Sequence, residues 1–294
     1  MQMGAEQIAG GVWRLRAGNP SPMTGSGTNS YVLLGPDGAV LIDPGPALPD
    51  HLAGLLVVLG NAPLRAVLLS HPHLDHSAGL PALQAATGAR SYGFGAADAG
   101  RSMPMQRLVD AGLTGGGEGV DADFIPDVAV KDGEILQLAG LQIEAIHTPG
   151  HMGAHLCFAL AETLFSGDHV MGWSSSLISP PDGDMGQYME SLAKLAARDW
   201  QHFYPGHGEI IVDPAARLLE LTRHRRAREA AILAALAKAP ACPDGLAAQL
   251  YTDTPPALLG AAARNILAHL IDLHERKLVT TPQTIAPDAF FHLI

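Results

Sequence analysis

The feature that most constrains this chain is a dense group of metal-binding side chains directly after an apolar stretch. Residues 66–69 are apolar and partly β-branched, which predicts a buried strand. The loop after it contains His71, His73, Asp75 and His76 within six positions. Imidazole nitrogens suit zinc, and a carboxylate suits a harder, more water-exposed position. The sequence therefore predicts a metal site at the end of this strand, with two histidines on one side and the other pair turned toward a second centre.

Three more candidate ligands follow downstream, in the order His151, Asp168 and His207. Each comes after an apolar, strand-like run and lies beside glycine or proline, as tight turns at strand ends require. The competing interpretation is a polar loop with chance histidines, since the chain has 14 of them. The ordered spacing of the later residues favours a metal centre over that interpretation.

This ordered set of seven residues resembles the metallo-β-lactamase-fold superfamily of dinuclear metal hydrolases, over about residues 10–212. The resemblance implies an α/β protein with a four-layer αββα sandwich. It also implies two groups of metal ligands joined by one bridging residue. The first group is His71, His73 and His151, the second is Asp75, His76 and His207, and the bridge is Asp168. By the same resemblance, Asp75 and Asp168 are catalytic as well as ligands.

Three residues outside this set are candidates for supporting roles. The resemblance places Asp43, at the end of a predicted strand, beneath the metals, where it hydrogen-bonds a ligand histidine. The alternative is a simple turn-forming aspartate. His155 either supports a ligand from behind or is a hydrogen-bonded core histidine. Tyr188, at the start of a predicted helix, either donates its hydroxyl to a substrate oxygen as a catalytic residue or is buried and structural.

Length and charge predict two domains. The 294 residues, 47% of them hydrophobic, suit a catalytic domain of residues 1–212 and an appendage of residues 213–294. Residues 1–212 hold 9 basic and 21 acidic side chains, whereas residues 213–294 hold 9 and 8. An acidic catalytic body does not attract polyanions at long range.

The appendage has three predicted helices and a strand pair. Its helical periodicity covers residues 214–239, 246–251 and 256–275, and a short strand follows at residues 277–280. This arrangement resembles the small winged-helix domain of the superfamily branch that includes endoribonuclease-like and glyoxalase-II-like proteins. The first helix also carries a cluster of arginines. The four arginines are Arg223, Arg225, Arg226 and Arg228. Either two of them face the cleft, or all four are solvated or pair with nearby acids such as Glu220 and Glu229.

Two stretches are expected to form loops around the site. Residues 92–128 are irregular and include the glycines at 115–117, and residues 173–184 are rich in serine and proline. The second stretch directly follows the bridging aspartate and is expected to wall the pocket. Met103, Met105 and Leu108 in the first stretch either line a pocket or pin the loop to the body, and the second role is favoured.

The ligands predict an enzyme. Two divalent ions share a bridging water and lower its pKa toward neutrality, so that the resulting hydroxide attacks a small ester, thioester or lactone. A metal-dependent endoribonuclease or phosphodiesterase is the first alternative, and a winged-helix nucleic-acid-binding module with a vestigial site is the second. Zinc is the expected ion, while iron and manganese stay open because imidazole and carboxylate serve all three.

The setting follows from what the sequence contains. A small-molecule substrate is expected, nucleic acid is disfavoured by the acidic body, and no apolar run approaches the ~18 residues that span a bilayer. Only two cysteines occur, at no metal-like spacing, and the first thirty residues show no secretory signal. These features predict a reducing, cytoplasmic location without a membrane partner.

Overall fold

Two β-sheets pack face to face in the computed structural model of the chain, which describes residues 4–114 and 119–294. The glycines at 115–117, predicted as part of a loop over the site, lie outside the described residues. Helices cover the outer face of each sheet, so the chain has the predicted αββα order of layers.

The first sheet has seven strands in the order β1 to β7. Its strands are β1 Ala5–Ala9, β2 Val12–Arg16, β3 Asn29–Gly35, β4 Gly38–Ile42, β5 Leu64–Leu68, β6 Arg90–Gly93 and β7 Val128–Ala129. The first four are joined as antiparallel neighbours, and β4 to β7 run parallel. Ile42 pairs with Leu68, so the ends of β4 and β5 lie side by side. This register brings Asp43 next to the loop that holds the first histidines.

The second sheet has five strands in the order β12, β11, β10, β9, β8. They are β8 Ile135–Leu138, β9 Leu141–His147, β10 Leu156–Leu160, β11 Thr163–Gly167 and β12 His202–Pro205. Only β11 and β12 are parallel, and Gly167 pairs with Pro205. Because parallel strands end at the same edge, Asp168 and His207 leave the sheet together.

Eight α-helices and one short 3-10 helix, Pro256–Leu258, occur in the described part of the chain. The α-helices are α1 Pro49–Leu59, α2 Leu74–Ser77, α3 Leu80–Thr87, α4 Met103–Asp110, α5 Met185–Ala196, α6 Pro214–Leu236, α7 Pro243–Leu250 and α8 Leu259–Glu275. Helices α1 and α3 pack Leu55 and Leu83 against the first sheet, and α5 and α6 pack Leu192 and Leu218 against the second. These apolar helix faces close the sandwich on both sides.

The region at residues 92–128 differs from the predicted irregular loop, because it contains the end of β6, helix α4 and strand β7. Helix α4 begins where Ser102 accepts a hydrogen bond from the Met105 amide, a common helix start. Met105 is buried among residues of the C-terminal helices, while Met103 is exposed. The described part of this region is therefore fixed to the body. Helix α4 is only eight residues long, which is too short for its hydrophobic periodicity to predict a helix from the sequence.

The C-terminal residues, 213–294, contain the predicted helices and strand pair. Strand β13 Val279–Thr280 pairs with β14 His292–Leu293, a partner that the sequence pattern did not locate. Ile266 and Phe291 lie in the core of this part. Ala268 of α8 instead joins the core beneath the second sheet, so the two parts of the chain share packing. Within residues 4–114 and 119–294, no helix has the length and apolar character needed to cross a bilayer.

Candidate metal centre

The seven candidate ligands meet because each follows the carboxyl end of a strand. His71 and His73 come after β5, and helix α2 then carries Asp75 and His76. The other three follow β9, β11 and β12; they are His151, Asp168 and His207. The structure thus brings together all seven residues that the sequence singled out.

Their ligating atoms form three overlapping groups in which all atoms lie within 4.8 Å of one another. The groups are His71, His73 and His151; His71, His76 and Asp168; and Asp75, His76 and His207. We call the first of these the imidazole group and the last the mixed group. Asp168 connects them, because its Oδ2 lies 3.8 Å from His151 Nε2 and 3.3 Å from His207 Nε2.

In the imidazole group, His73 Nδ1 lies 2.9 Å from His71 Nε2 and 3.0 Å from His151 Nε2. The outer nitrogens of the two flanking rings are already engaged. His151 Nδ1 donates to the Leu177 carbonyl at 2.7 Å. Ser70 donates its hydroxyl proton to Asp43 at 2.6 Å, so it accepts from His71 Nδ1 at 3.0 Å. The Nε2 lone pairs of both rings therefore point at His73, whose single ring proton cannot satisfy both.

The mixed group combines two imidazoles with carboxylates. His76 Nδ1 donates to Asp43 at 2.9 Å and His207 Nδ1 to the Gly27 carbonyl at 3.2 Å. Their Nε2 atoms lie 3.4 Å apart, and Asp75 Oδ2 lies 3.5 Å from the first and 3.3 Å from the second. Positive charge is needed between these atoms, either as protons on the rings or as a metal ion.

The histidine pKa values are shifted in opposite directions in the two groups: they are lowered in the imidazole group, and that of His207 in the mixed group is raised. Burial lowers the pKa of His73 to about 3 and also lowers the pKa values of His71 and His151, so these rings are neutral near pH 7. Burial alone would lower the pKa of His207, but the Asp168 carboxylate raises it to about 9. Burial would raise the pKa of Asp168, yet His207 and its neighbours hold it well below its usual range.

The donor set fits divalent metal ions. In the imidazole group, three neutral nitrogens converge with one proton among them, which is how metal-binding histidines are arranged. Asp168 Oδ1 is buried without a hydrogen-bond partner among the described residues, although it lies 3.4 Å from His76 Nε2. A buried carboxylate oxygen normally finds a donor, so this atom is suited to a cation.

The predicted supporting residues have different outcomes. Asp43 contacts His76 and Ser70, and its backbone takes the left-handed conformation with φ 53°, an unusual value for a non-glycine residue. His155 Nε2 accepts from the Asp168 amide at 3.2 Å. Tyr188 is not brought to the site. It is fully buried and donates its hydroxyl to the His169 carbonyl at 3.2 Å, so it does not reach a substrate oxygen.

Besides Ser70, which contacts His71, two further residues that the sequence analysis missed touch the ligands. Thr28 donates its hydroxyl to Asp75 Oδ2 at 2.9 Å, and an isolated bridge pairs Thr28 with His207. Ser176 Oγ contacts the backbone carbonyl of Asp168. Thr28 lies in the glycine-rich turn before β3, a location that marks a close backbone approach but does not show what approaches.

A cavity of about 480 Å³ opens onto the ligands. Its wall includes Trp173 and Leu177, as predicted for residues 173–184, and also Met171 just before them. The C-terminal residues complete it with Tyr251 and Leu258. The cavity thus has a polar end at the ligands and a mixed wall beyond it, where these aromatic and aliphatic side chains lie beside polar ones such as Ser175 and Arg264. Apolar walls with a few polar groups are typical of small-molecule sites.

The arginine cluster of α6 does not line this cavity, and in the described residues its members do not pair with Glu220 or Glu229. Arg217 pairs with Glu220 at 2.8 Å, and Arg276 pairs with Glu229. Arg223 and Arg226 are exposed, whereas Arg225 is buried. Arg228 donates to the Leu250 carbonyl at 2.8 Å and lies over the ring of Tyr251. The cluster therefore divides between solvent and interior contacts, because its members occupy different faces of the helix.

Comparison with protein-family profiles gives two matches. The profile of the metallo-beta-lactamase superfamily matches residues 23–207, and that of the beta-lactamase-associated winged helix domain matches residues 243–284. The predicted family and the predicted winged-helix appendage are confirmed by these matches.

Individual proteins of the same kind resemble the chain over most of its length. It is 34% identical to the lactamase-like protein nscB of Neosartorya fischeri over 234 residues, or 77% of this chain and 62% of that protein. It is 31% identical to the atrochrysone carboxyl ACP thioesterase of Aspergillus chevalieri, over 79% of this chain and 67% of that protein. The chain therefore spans less than two thirds of the first of these relatives.

A solved structure resembles nearly the whole chain. A metallo-beta-lactamase family protein from Thermus thermophilus superposes with a TM-score of 0.76 at 26% identity, covering 97% of this chain and 99% of that one. The coverage includes the C-terminal residues, so the sandwich and the winged-helix part occur together in that protein as well.

Proposed function

The chain belongs to the metallo-beta-lactamase superfamily, and from that premise we propose that it is a hydrolase that cleaves a small-molecule thioester, ester or lactone at a dinuclear metal centre. The proposed ligands are those predicted from the sequence: His71, His73, Asp75, His76, His151, Asp168 and His207. The observation that carries the proposal is that Asp168 lies between two complete three-residue groups at the end of one cavity.

The proposed ions are two divalent metals, and zinc is favoured because imidazole nitrogens outnumber carboxylates among the clustered donors. When bound, such ions polarise a carbonyl and make water nucleophilic near neutral pH. Asp43 and the Leu177 and Gly27 carbonyls fix the rings of His76, His151 and His207, so the protein itself sets the direction of each donor.

The residues of the cavity assign roles to the rest of the reaction. Asp75 is held by Thr28, and its side chain is 27% exposed, so it faces the solvent side of the centre. Trp173 and Leu177 in the cavity wall would bury an apolar acyl group and exclude water from it. Catalytic Asp75 and Asp168 remain in the proposal, and Tyr188 does not, because its hydroxyl is used inside the core.

A thioester is the substrate class that we favour within this set. The thioesterase relative supports it, and the aromatic and aliphatic part of the cavity wall suits an acyl chain or ring. A thiol has a pKa of about 8.5, so a thiolate leaves near neutral pH with little help from an acid. The two unpaired cysteines, Cys157 and Cys242, are consistent with the proposed reducing compartment, the cytoplasm.

The nuclease alternative draws support from the winged-helix match, but the arginines that it requires are differently placed. Arg225 is buried, and Arg228 covers Tyr251. Phosphate binding outside the metal centre needs several basic side chains facing the cleft, and Arg264 alone of the arginines and lysines in the described residues lines the cavity. The acidic composition of residues 1–212 also argues against binding of a nucleic acid, because like charges repel.

The test uses metal-depleted protein that is reloaded with zinc. Thiol release is measured on a panel of acyl thioesters, next to lactones, an activated ester and single-stranded RNA, with Asp168→Ala as the control. We expect zinc-dependent thiol release that the control lacks, with little change between low and physiological salt because an uncharged carbonyl needs no electrostatic steering. Cleavage of RNA with submicromolar affinity and a steep salt dependence would replace this proposal with the nuclease.

A further inference from the structure

One short segment separates the candidate metal centre from the C-terminal helices. We call residues 174–179 the bracing loop. We propose that Arg225 of α6, acting with Asn265 of α8, is a positioning residue that holds this loop and thereby the ligands His151 and Asp168. The inference rests on the metal centre of the proposed function and gives the C-terminal residues a role in it beyond walling the cavity.

The inner side of the bracing loop is bonded to two ligands. The Leu177 carbonyl accepts the Nδ1 proton of His151 at 2.7 Å, which aims the other nitrogen at the centre. Ser176 Oγ contacts the carbonyl of Asp168 and lies 2.8 Å from that of His169. A displacement of this loop would therefore turn the His151 ring and move the backbone of the bridging carboxylate together.

The outer side of the same loop is bonded to the C-terminal helices. Arg225 donates one guanidinium nitrogen to the Ser176 carbonyl and another to Asn265 Oδ1 at 3.1 Å. Asn265 Oδ1 also accepts from the Ile178 amide at 3.1 Å. One planar guanidinium thus connects α6, α8 and the loop, a geometry that a flexible ammonium does not reproduce.

The surroundings of Arg225 favour a positioning role over a stabilising one. The residue is 1% exposed, and no carboxylate lies within ion-pair distance of it in residues 4–114 and 119–294. Its guanidinium is 5.1 Å from the centre of the Tyr188 ring, and its Nε has no partner among the same residues. Burying a cation without a carboxylate partner among the described residues costs free energy that its hydrogen bonds offset only in part, so these contacts fit a positioning role better than a net gain in stability.

The same helix offers a matched control. Arg226 is the next residue and is exposed, so Arg226→Met removes the same charge without touching the loop. Arg225→Met keeps volume and apolar contact with Tyr188 but removes both hydrogen bonds. Ser176→Ala removes only the contacts of the Ser176 hydroxyl, and it serves as a second test if Arg225→Met fails to fold.

The first measurement is hydrogen exchange on the metal-free protein, followed in peptides that contain the bracing loop. We expect the amides of this loop to exchange about tenfold faster in Arg225→Met than in the parent, because a held backbone amide opens more often when its anchor is lost. Arg226→Met should match the parent. Equal exchange in Arg225→Met and the parent would overturn the proposal without any reference to metal binding or turnover.

The second measurement is zinc affinity, obtained by competition with a chromogenic chelator. We expect the Kd of the weaker-bound ion to rise about tenfold in Arg225→Met and in Ser176→Ala, with partial recovery in Arg225→Lys. Unchanged affinity in both variants would show that the loop does not position the ligands. If the parent binds zinc and hydrolyses a thioester, and these variants have the same zinc affinity as the parent, then this inference alone fails. If the parent binds no zinc, the proposed function and this inference fail together.

Discussion

The candidate metal centre and the C-terminal core both bury histidines, but they treat the rings differently. At the centre, His76, His151 and His207 each donate one ring nitrogen to a fixed acceptor and direct the other at the ligands. In the C-terminal core, His269 is 1% exposed, and neither of its nitrogens has a hydrogen-bond partner among the described residues. A fixed outer bond determines the tautomer and so creates a directed lone pair. Burial alone therefore does not identify a ligand histidine. What distinguishes these three rings is that one nitrogen is fixed by an outer bond while the other faces further ligands.

The largest expected effect comes from removing the residue that joins the two ligand groups. In Asp168→Ala, zinc stoichiometry should fall below two per chain and thioester hydrolysis should drop by about 10³-fold or more, since the carboxylate that lies between the two groups is lost. Elemental analysis of zinc-reloaded protein and initial rates check this. If the variant binds two zinc ions per chain or keeps the activity of the parent, Asp168 is not a bridging ligand of the metal centre.

A smaller effect is expected from crowding the mixed group without changing a ligand. A methyl group at Gly206 would overlap Asp168 Oδ1 and would lie 2.7 Å from His76 Cε1. Because small displacements of reacting groups cost as much as about 10²-fold, Gly206→Ala should lower kcat by roughly 10-fold to 100-fold, with the fold retained.

The control for this substitution is Gly260→Ala, since nothing lies within 4 Å of the added carbon there. Circular dichroism and initial rates are measured on both proteins. Parental kcat in Gly206→Ala would mean that the mixed group tolerates movement and that its geometry is not what limits the reaction.

How far the sequence predicts this site depends on the distance between the partners. His71 to His76 lie within six residues, and each later ligand follows the end of its own strand, so local patterns were sufficient. Thr28 reaches Asp75 across 47 positions, and Arg225 reaches Ser176 across 49. No local periodicity encodes such contacts, because they are set by how the turn before β3, helix α6 and the bracing loop pack in three dimensions.

The predictions for Tyr188 and for the arginines of α6 differ from the structure for the same reason. The sequence placed Tyr188 on a helix beside the pocket but did not show the direction of its hydroxyl, which the core uses at His169. It also treated the arginines of α6 as one cluster, although the helical rotation sends Arg225 inward and Arg226 outward. Side-chain direction, rather than the identity of the element, was the missing information.

A smaller effect again is expected where a single hydrogen bond supports the mixed group. Thr28→Val keeps the shape of the side chain and removes the bond to Asp75, so the Kd for the weaker-bound zinc should rise about tenfold. Thr28→Ser retains the hydroxyl and should bind zinc as the parent does. A chelator competition in which valine and serine behave alike would show that the hydroxyl does not orient Asp75.

The smallest effect on activity, and the clearest one on stability, is expected in the C-terminal core. Burial lowers the pKa of His269 to about 3, below the value of about 6.5 in an unfolded chain. Between these values the unfolded chain binds a proton that the folded protein does not, so the parent loses stability as the pH falls below about 6.5. At pH 5 this loss amounts to about 2 kcal/mol, whereas at pH 8 it is absent.

His269→Leu removes the titrating ring, whose two nitrogens have no hydrogen-bond partner in the described part of the chain, and keeps a side chain of similar size on α8. The variant should therefore be at least as stable as the parent at pH 8 and should gain about 2 kcal/mol relative to it on going to pH 5. Denaturant unfolding at both pH values measures this difference, and the pH 8 pair provides the baseline. If the two proteins lose stability in parallel between pH 8 and pH 5, His269 takes up its proton in the folded state. The contrast between the directed histidines of the metal centre and the unpaired one in the C-terminal core would then be lost.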